Sequence, residues 1–386
     1  MSESLARWRV RYQRPIEYDI VVTPDLFHLQ SKALLSVGKV RHGRRFVVID
    51  ANVAKYRLDQ ITSYFAHHQI DTKIIVFSGG EENKSVEVYL DILRQLDSFP
   101  IHRRDEPIIA IGGGVLTDVV GFIAGSYRRS VPHIKVPTTL MGYVDASIGI
   151  KTGINFNGQK NRLGSFEPPR QVLLDKTFLK TLPRRHLLNG VCEIIKLAII
   201  KDAQLFRQLE QHGAESIAAH FQNDSGEVIL QRAISSMLEE LEPNLFEENL
   251  ARKVDFGHTF SYGLETIKTQ NGEADLLHGE AVLLDILVST LIAMQRGLLS
   301  ELEVNRVFDL IHQLGMVPDT SLLDPDLMWR SLLDRVEHRN GSQRVPMPDG
   351  LGNCVFLNDI QPQEITSSIT LLDHWTTLEN ERIHEC

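Results

Sequence analysis

The stretch Pro107-Ile-Ile-Ala-Ile-Gly-Gly-Gly-Val-Leu-Thr-Asp118 decides the fold class. A continuous apolar run, closed by three glycines and followed by helical periodicity, is how a buried parallel strand turns into a helix. Working outward, Phe46-Val-Val-Ile49, ending at Asp50, and Ile74-Ile-Val-Phe77 read as two more strands. Between strands, Ser85 to Leu96 repeats apolar residues at spacings of three and four, the period of a helix. Strand, turn and helix in alternation predict βαβ units, hence a doubly wound, Rossmann-like α/β region with a parallel sheet.

Beyond Pro183 the texture changes. Segments 184–212, 226–241, 278–297 and 301–315 are Leu/Ile-rich with helical period and predict a mainly α-helical second domain. The turn Thr181-Leu-Pro183 marks the boundary, giving an α/β domain at 1–182 and a helical domain at 183–386. A length of 386 residues exceeds one ordinary core and agrees with two.

Composition removes several function classes. With 41 Lys+Arg against 50 Asp+Glu the formal charge is −9, which argues against a non-specific nucleic-acid binder. An anionic small substrate would need a local basic pocket. The cysteines are Cys192, Cys354 and Cys386, with no CxxC pair, so neither a disulfide framework nor a thiolate zinc cage is expected. Residues 1–15 lack the apolar core of a signal peptide. The longest apolar run, Ala281 to Met294, carries Asp285 and falls short of the ~20 residues that span a bilayer. The expectation is a cytoplasmic protein acting on a small molecule, without nucleic acid or membrane.

Three features carry chemistry. Gly112-Gly113-Gly114 opens a helix, where glycines admit a pyrophosphate and the helix N-terminus offers N–H donors; without GxGxxG spacing it is equally a tight strand-to-helix turn. Asp50, with Asn52 two residues on, suits ribose hydroxyls or simply caps the next helix. Secondly, Asn189, Glu193 and Lys196 share one helix face, while His258 and His278 lie in glycine-containing turns. One carboxylate and two imidazoles are a usual catalytic Zn²⁺ set, although each of 15 histidines taken alone reads as ordinary surface or core. Thirdly, Arg128, Arg129, Lys135, Lys151, Lys160 and Arg162, with Thr138, Thr139 and Asn161, form either a phosphate-binding cluster or a solvated basic face.

Taken in order, these residues resemble the sugar phosphate cyclase family, whose best-known member is 3-dehydroquinate synthase, from about Asp50 to Asp359. The resemblance rests on Glu81 with Lys84, GGGVLTD at 112–118, VPTTLMGYVDASIGIKTGIN at 136–155, KNRLGSF at 160–166, NGVCEIIK at 189–196, DFGHT at 255–259 and HGEAV at 278–282. It implies a dehydroquinate synthase-like fold and NAD bound by Asp50, Asn52, Glu81, Lys84, Gly113, Gly114, Val115, Asp118, Thr138, Thr139, Asp145, Lys160, Thr181 and Asn189. It implies Zn²⁺ or Co²⁺ on Glu193, His258 and His278. Substrate would meet Arg129, Lys151, Asn161, Lys196 and Arg252, the phosphate chiefly Lys151, Asn161 and Arg129. The residue corresponding to Arg129 reaches across a subunit interface in this family, which implies a homodimer.

The implied reaction is a phosphate lyase and cyclase sequence: transient oxidation by NAD, phosphate elimination, re-reduction, ring opening and aldol closure. Lys151 is the first choice for proton transfer beside the phosphate. Glu247 matches a family acidic residue of catalytic type, or is a solvated carboxylate at a helix end.

Departures from the dehydroquinate synthase pattern bear on the substrate. Those enzymes carry Asn at the position of Asp255, His at Tyr262, Lys near Met237, and a Lys-rich turn where this chain reads Glu337-His338-Arg339. Cations lost where a buried carboxylate must sit disfavour a carboxylated substrate by several kcal/mol. Asp255 and His338 both occur in the cyclases that convert sedoheptulose 7-phosphate to 2-epi-5-epi-valiolone, which implies that Asp255 accepts bonds from substrate hydroxyls and His338 orients the far end of the chain. The alternatives are another sedoheptulose 7-phosphate cyclase (forming 2-epi-valiolone or desmethyl-4-deoxygadusol), 3-dehydroquinate synthase, a metal-dependent polyol dehydrogenase, and a non-enzymatic NAD-binding sensor.

Overall fold

In the computed structural model, which describes residues 7–35, 43–265 and 276–384, the predicted apolar runs line up side by side as parallel strands. The strands are β1 (Asp19–Val22), β2 (Arg45–Asp50), β3 (Thr72–Phe77), β4 (Ile108–Gly112), β5 (His133–Pro137) and, after an antiparallel hairpin of β6 (Lys151–Phe156) and β7 (Gln159–Phe166), β8 (Gln171–Leu174). Their order is β1-β8-β5-β4-β2-β3, with Phe46 to Ile49 opposite Ile108 to Ile111. Helices α1 (Ala51–His67), α2 (Val86–Asp97) and α3 (Gly114–Ser126) connect them.

Strand alternation explains the double layer. Val47, Ile49, Ile109 and Ile111 point to one face and pack with Ile61 and Phe65 of α1. Phe46, Val48, Ile108 and Ala110 point to the other and pack with Ile92 of α2 and Val120 of α3. Both faces are covered, so these strands read as unbroken apolar runs. Each such side chain, fully buried, contributes about 1.5–3 kcal/mol.

The helical region contains α4 (Arg184–Ile200), α5 (Ala203–Ala218), α6 (Asp224–Leu241), the one-turn α7 (Ser261–Leu264), α8 (His278–Gln295), α9 (Glu301–Gln313), α10 (Pro325–His338) and α11 (Pro362–His384). Segment 184–212 is therefore two helices: Asp202 accepts from the N–H groups of Gln204 and Leu205, both at 3.0 Å, and starts α5 after a break at Lys201. Only β2, β3 and β4 were anticipated as strands: β1, β5 and β8 of the sheet, the β6–β7 hairpin and a small hairpin of β9 (Val345–Pro348) with β10 (Cys354–Leu357) were not. By length and composition α8 is apolar enough to cross a membrane, longer than the run read from sequence. It is buried from Ala281 to Ala293 and packs against α4 and α11 as a core helix. Its core also takes in Leu140, Val144, Ile148, Val172 and Leu174, from the α/β side of Pro183. Cys386 lies outside the described residues.

Candidate active site

Two close helix approaches build a donor cluster in the interior. Glu193 sits on α4 with no exposure, ion-paired to the equally buried Lys196 one turn on. His278 is the first residue of α8. At the next position a Cβ on Gly279 would collide with the carbonyl of Asn189 on α4, so only glycine lets α8 begin there. The Gly279 N–H donates to Asn189 Oδ1 at 2.6 Å. His258 enters from the preceding turn, where Gly257 takes φ +75° with Val282 Cγ1 only 2.8 Å from where a Cβ would lie. The buried carboxylate of Asp285 on α8 accepts from the N–H groups of Phe260 (2.5 Å) and Ser261 (3.0 Å), anchoring the chain just past His258.

The protons on the histidines follow from their partners. His258 Nδ1 faces the carbonyl of Phe256 at 3.0 Å, and a carbonyl only accepts. His278 Nδ1 faces Glu265 Oε1 at 2.9 Å. Both rings therefore carry hydrogen on the far nitrogen and turn Nε2 inward, 3.2 Å apart and 3.7 and 3.5 Å from Glu193 Oε1. Two imidazole lone pairs and a carboxylate converging on one point need a positive charge between them. The three donor atoms lie within 4.8 Å of one another; Glu193 Oε1 faces both rings while Oε2 pairs with Lys196. This donor set fits a divalent ion with a coordination position left open.

The electrostatics agree. Burial pushes the Glu193 carboxyl up, but Lys196, His258 and His278 outweigh it and hold it below the usual carboxylate range. Enclosure, reinforced by the Lys196 ammonium, pushes His258 down to about 3, so that ring is neutral. Enclosure also opposes charge on His278, yet bonds to Glu193 and Glu265 lift it to about 10, so a proton on Nε2 holds the point a cation would take and is given up when one binds. Asp145, in a π-helical turn over Gly142–Ala146, is pushed up by burial while Lys196 and Lys151 pull it back.

Alongside runs a ladder of alternating charge. Lys151 Nζ lies 3.1 Å from Glu247 Oε1, and Glu247 also pairs with Arg252. Arg252 Nη2 meets Asp255 Oδ1 at 3.2 Å, and Arg339 Nη2 meets Asp255 Oδ2 at 3.2 Å. Burial raises the Asp255 carboxyl, but Arg252 and Arg339 overcome it, so Asp255 stays ionised below the usual range. Glu247, partly exposed, is thus paired on both sides. His338 lies on the exposed side at the end of α10 and is not brought into the ladder. Its neighbour Arg339, 4% exposed, is the residue turned toward Asp255. Met237 is packed in the apolar core, and Tyr262 stacks under Arg335.

At the glycine turn α3 begins at Gly114, with Gly113 as its N-cap and no side chain capping its N–H groups. A Cβ on Gly113 would lie 3.1 Å from Thr139, and one on Gly114 3.0 Å from Ala146. Open N–H donors over a shallow glycine floor fit a phosphate-bearing cofactor. Asp50 caps α1 through Asn52 N (2.8 Å) with Oδ1, while Oδ2 faces Gly79, so capping leaves it available to a ligand. Buried Lys84 bonds Asp118 (2.7 Å) and Asn161 (2.5 Å), and Asn155 bonds Glu81 (2.9 Å), tying the β6–β7 hairpin to this end. Thr138 N bonds Gly112 O at 3.0 Å, and Lys160 reaches Glu265 at 2.7 Å. Val115 lies in the first turn of α3, and Thr181 is exposed just before α4.

Arg129 stands apart, exposed on a turn in which Arg128, Arg129 and Ser130 all have positive φ. Arg339, Glu265 and Asp285 are members of the site that sequence reasoning did not assign. Only Glu265, seven residues past His258, offered a signal, as a carboxylate near a candidate imidazole ligand.

Residues 74–189 match the 3-dehydroquinate synthase N-terminal family and residues 190–336 the 3-dehydroquinate synthase C-terminal family. The chain is 44% identical over 372 residues to 2-epi-5-epi-valiolone synthase of Streptomyces albus, covering 94% of this chain and 90% of that protein. It is 31% identical over 355 residues to 3-dehydroquinate synthase of Prochlorococcus marinus, covering 92% and 94%. A solved structure of ValA, the 2-epi-5-epi-valiolone synthase of Streptomyces hygroscopicus subsp. jinggangensis with NAD⁺ and Zn²⁺ bound, is similar with a TM-score of 0.89 at 43% identity, covering 95% of this chain and 99% of that one.

Proposed function

The chain belongs to the 3-dehydroquinate synthase family, and we propose that within it this protein acts as a sugar phosphate cyclase, turning sedoheptulose 7-phosphate into 2-epi-5-epi-valiolone and phosphate. The observation that carries this reading is the convergence of Glu193, His258 and His278 beside a ladder whose cations, Lys151, Arg252 and Arg339, are each ion-paired to Glu247 or Asp255 instead of being held for a substrate carboxylate. The 44% identity to a protein of that activity over 94% of the chain supports it.

Glu193, His258 and His278 would hold Zn²⁺ or Co²⁺, and the glycine turn with Asp50, Glu81, Lys84 and Asp118 would hold NAD. Once bound, the ion would polarise a substrate hydroxyl and the nicotinamide would take and return a hydride. The chain's own residues do the rest. Lys196, buried against Glu193, offers N–H donors next to the reacting hydroxyl. Lys151 moves a proton beside the phosphate, and Glu247, 3.1 Å away, holds its direction. Asp255 spends two of its roughly four acceptor sites on Arg252 and Arg339 and turns the others to substrate hydroxyls. Its fixed negative charge repels a carboxylate at the same place, which disfavours the dehydroquinate synthase substrate. Arg339 takes the orienting role that the resemblance gave His338.

The same reading assigns the protein to the carbon–oxygen lyases acting on phosphates, with cofactor binding centred on residues 1–182 and ion and substrate binding on 183–386. Exposure of Arg129 on its left-handed turn supports a homodimer in which it serves the partner's phosphate site. The free thiols of Cys192 and Cys354 suit the cytoplasm.

Incubation with sedoheptulose 7-phosphate, NAD⁺ and Zn²⁺ or Co²⁺ tests the reading. Phosphate release with no net absorbance at the NADH band, and a cyclitol identified by NMR, is the expected result. Accumulating NADH would indicate a polyol dehydrogenase, and absence of turnover despite cofactor binding would overturn the enzyme assignment.

A further inference from the structure

Glu265 follows the single turn of α7, and its side chain is 9% exposed. Both of its carboxylate oxygens are committed, each to a different part of the molecule. Oε1 accepts from His278 Nδ1 at 2.9 Å, and Oε2 from Lys160 Nζ at 2.7 Å. His278 opens α8, whereas Lys160 belongs to β7, 105 residues away in sequence from Glu265.

We infer that Glu265 is a positioning residue that couples cation binding at His278 to the placement of the β6–β7 hairpin. This rests on the reading of Glu193, His258 and His278 as cation ligands. The reasoning starts from the imidazole. A ring turning freely about its last torsion presents Nε2 to an ion only part of the time, and a carboxylate on Nδ1–H fixes both ring plane and tautomer. A cation on Nε2 in turn draws electron density from the ring, makes Nδ1–H a better donor and tightens the bond to Glu265. The other oxygen transmits this to the hairpin. Two strands alone are marginal in water. Here β6 packs on α3 through Ile154 and Thr152, whereas the largely exposed β7 is held to the rest of the molecule by Lys84 to Asn161 and Lys160 to Glu265. By linkage, whatever orders Lys160 raises cation affinity by the factor that the cation orders Lys160.

The experiment is Co²⁺ titration of the full chain, read from visible d–d absorption and chelator competition, for wild type, Glu265→Gln, Lys160→Met and the double variant. Glu265→Gln keeps the shape and should weaken Co²⁺ binding by about 10–100-fold with a shifted band. Lys160→Met should weaken it several-fold in wild type and add nothing to Glu265→Gln. Amides of 159–166 should gain exchange protection on Co²⁺ addition in wild type and lose that gain in both single variants. Since Lys160 is partly exposed, its variant reports even if Glu265→Gln melts early. Wild-type Co²⁺ affinity in Glu265→Gln, or additive effects in the double variant, would overturn the inference. A wild-type chain with no Co²⁺ band that Glu193→Ala removes would overturn the site assignment itself, a separable result.

Discussion

The ion cluster and the charge ladder lie side by side and are built in opposite ways. Glu193 in mid-α4, His258 in a turn and His278 at a helix start are brought together by close approaches at glycines, and their donors converge on one point. Lys151, Glu247, Arg252, Asp255 and Arg339 pair with one another in sequence, three cations to two carboxylates, so that every charge has an opposite partner. The first arrangement specifies a chemistry and is indifferent to the far end of the substrate. The second specifies which far end is admitted. Reaction type and substrate choice are therefore separable in this molecule, and mutations should separate them.

The largest effect belongs to the cluster. Glu193→Ala removes the central anion and should abolish Co²⁺ binding and cut phosphate release on the order of 10³-fold, since an ion's contribution is several kcal/mol. Retention of turnover would end the distinction between the two regions. Next, Asp255→Ala frees Arg252 and Arg339. It should lower kcat/KM for sedoheptulose 7-phosphate about 100-fold while leaving Co²⁺ affinity nearly unchanged, and should tighten inhibition by carboxylated analogues. Equal losses in metal binding and turnover would mean the two regions act as one.

A smaller contrast sharpens the ladder. Arg339→Ala should cost about tenfold in kcat/KM, with partial recovery in Arg339→Lys, and His338→Ala should cost much less. The reverse ranking would restore His338 as the orienting residue. The smallest effect concerns pH. Asp255 has a folded pKa below its ordinary 3.8, so its ion pairs stabilise the protein above that value and the contribution fades as pH falls through the folded pKa. Wild type and Asp255→Asn should differ by about 1–3 kcal/mol in denaturant unfolding near neutral pH and converge in acid.

Much of this was legible in the residues. Continuous apolar runs such as Ile108 to Ile111 identify a strand covered on both faces, and the glycines after them mark the turn. The Glu193, His258 and His278 set is visible because donor type alone narrows the chemistry. What escaped has physical reasons. Asp202 caps a helix inside a stretch whose apolar period never falters. Strand β9 reads Val-Pro-Met-Pro, and proline argues against strands except at edges, where this one lies. His338 and Arg339 differ by one position at a helix end, about 100° of rotation, and only the fold decides which faces inward. Glu265 becomes meaningful only once Lys160 and His278 are both beside it.

The central claim is most directly tested by anomalous scattering at the zinc edge, from crystals grown with Zn²⁺ and NAD⁺. One strong peak within bonding distance of a Glu193 oxygen and both inward Nε2 atoms is the predicted result. A peak bound elsewhere, or an unchanged peak in crystals of Glu193→Ala, would contradict it.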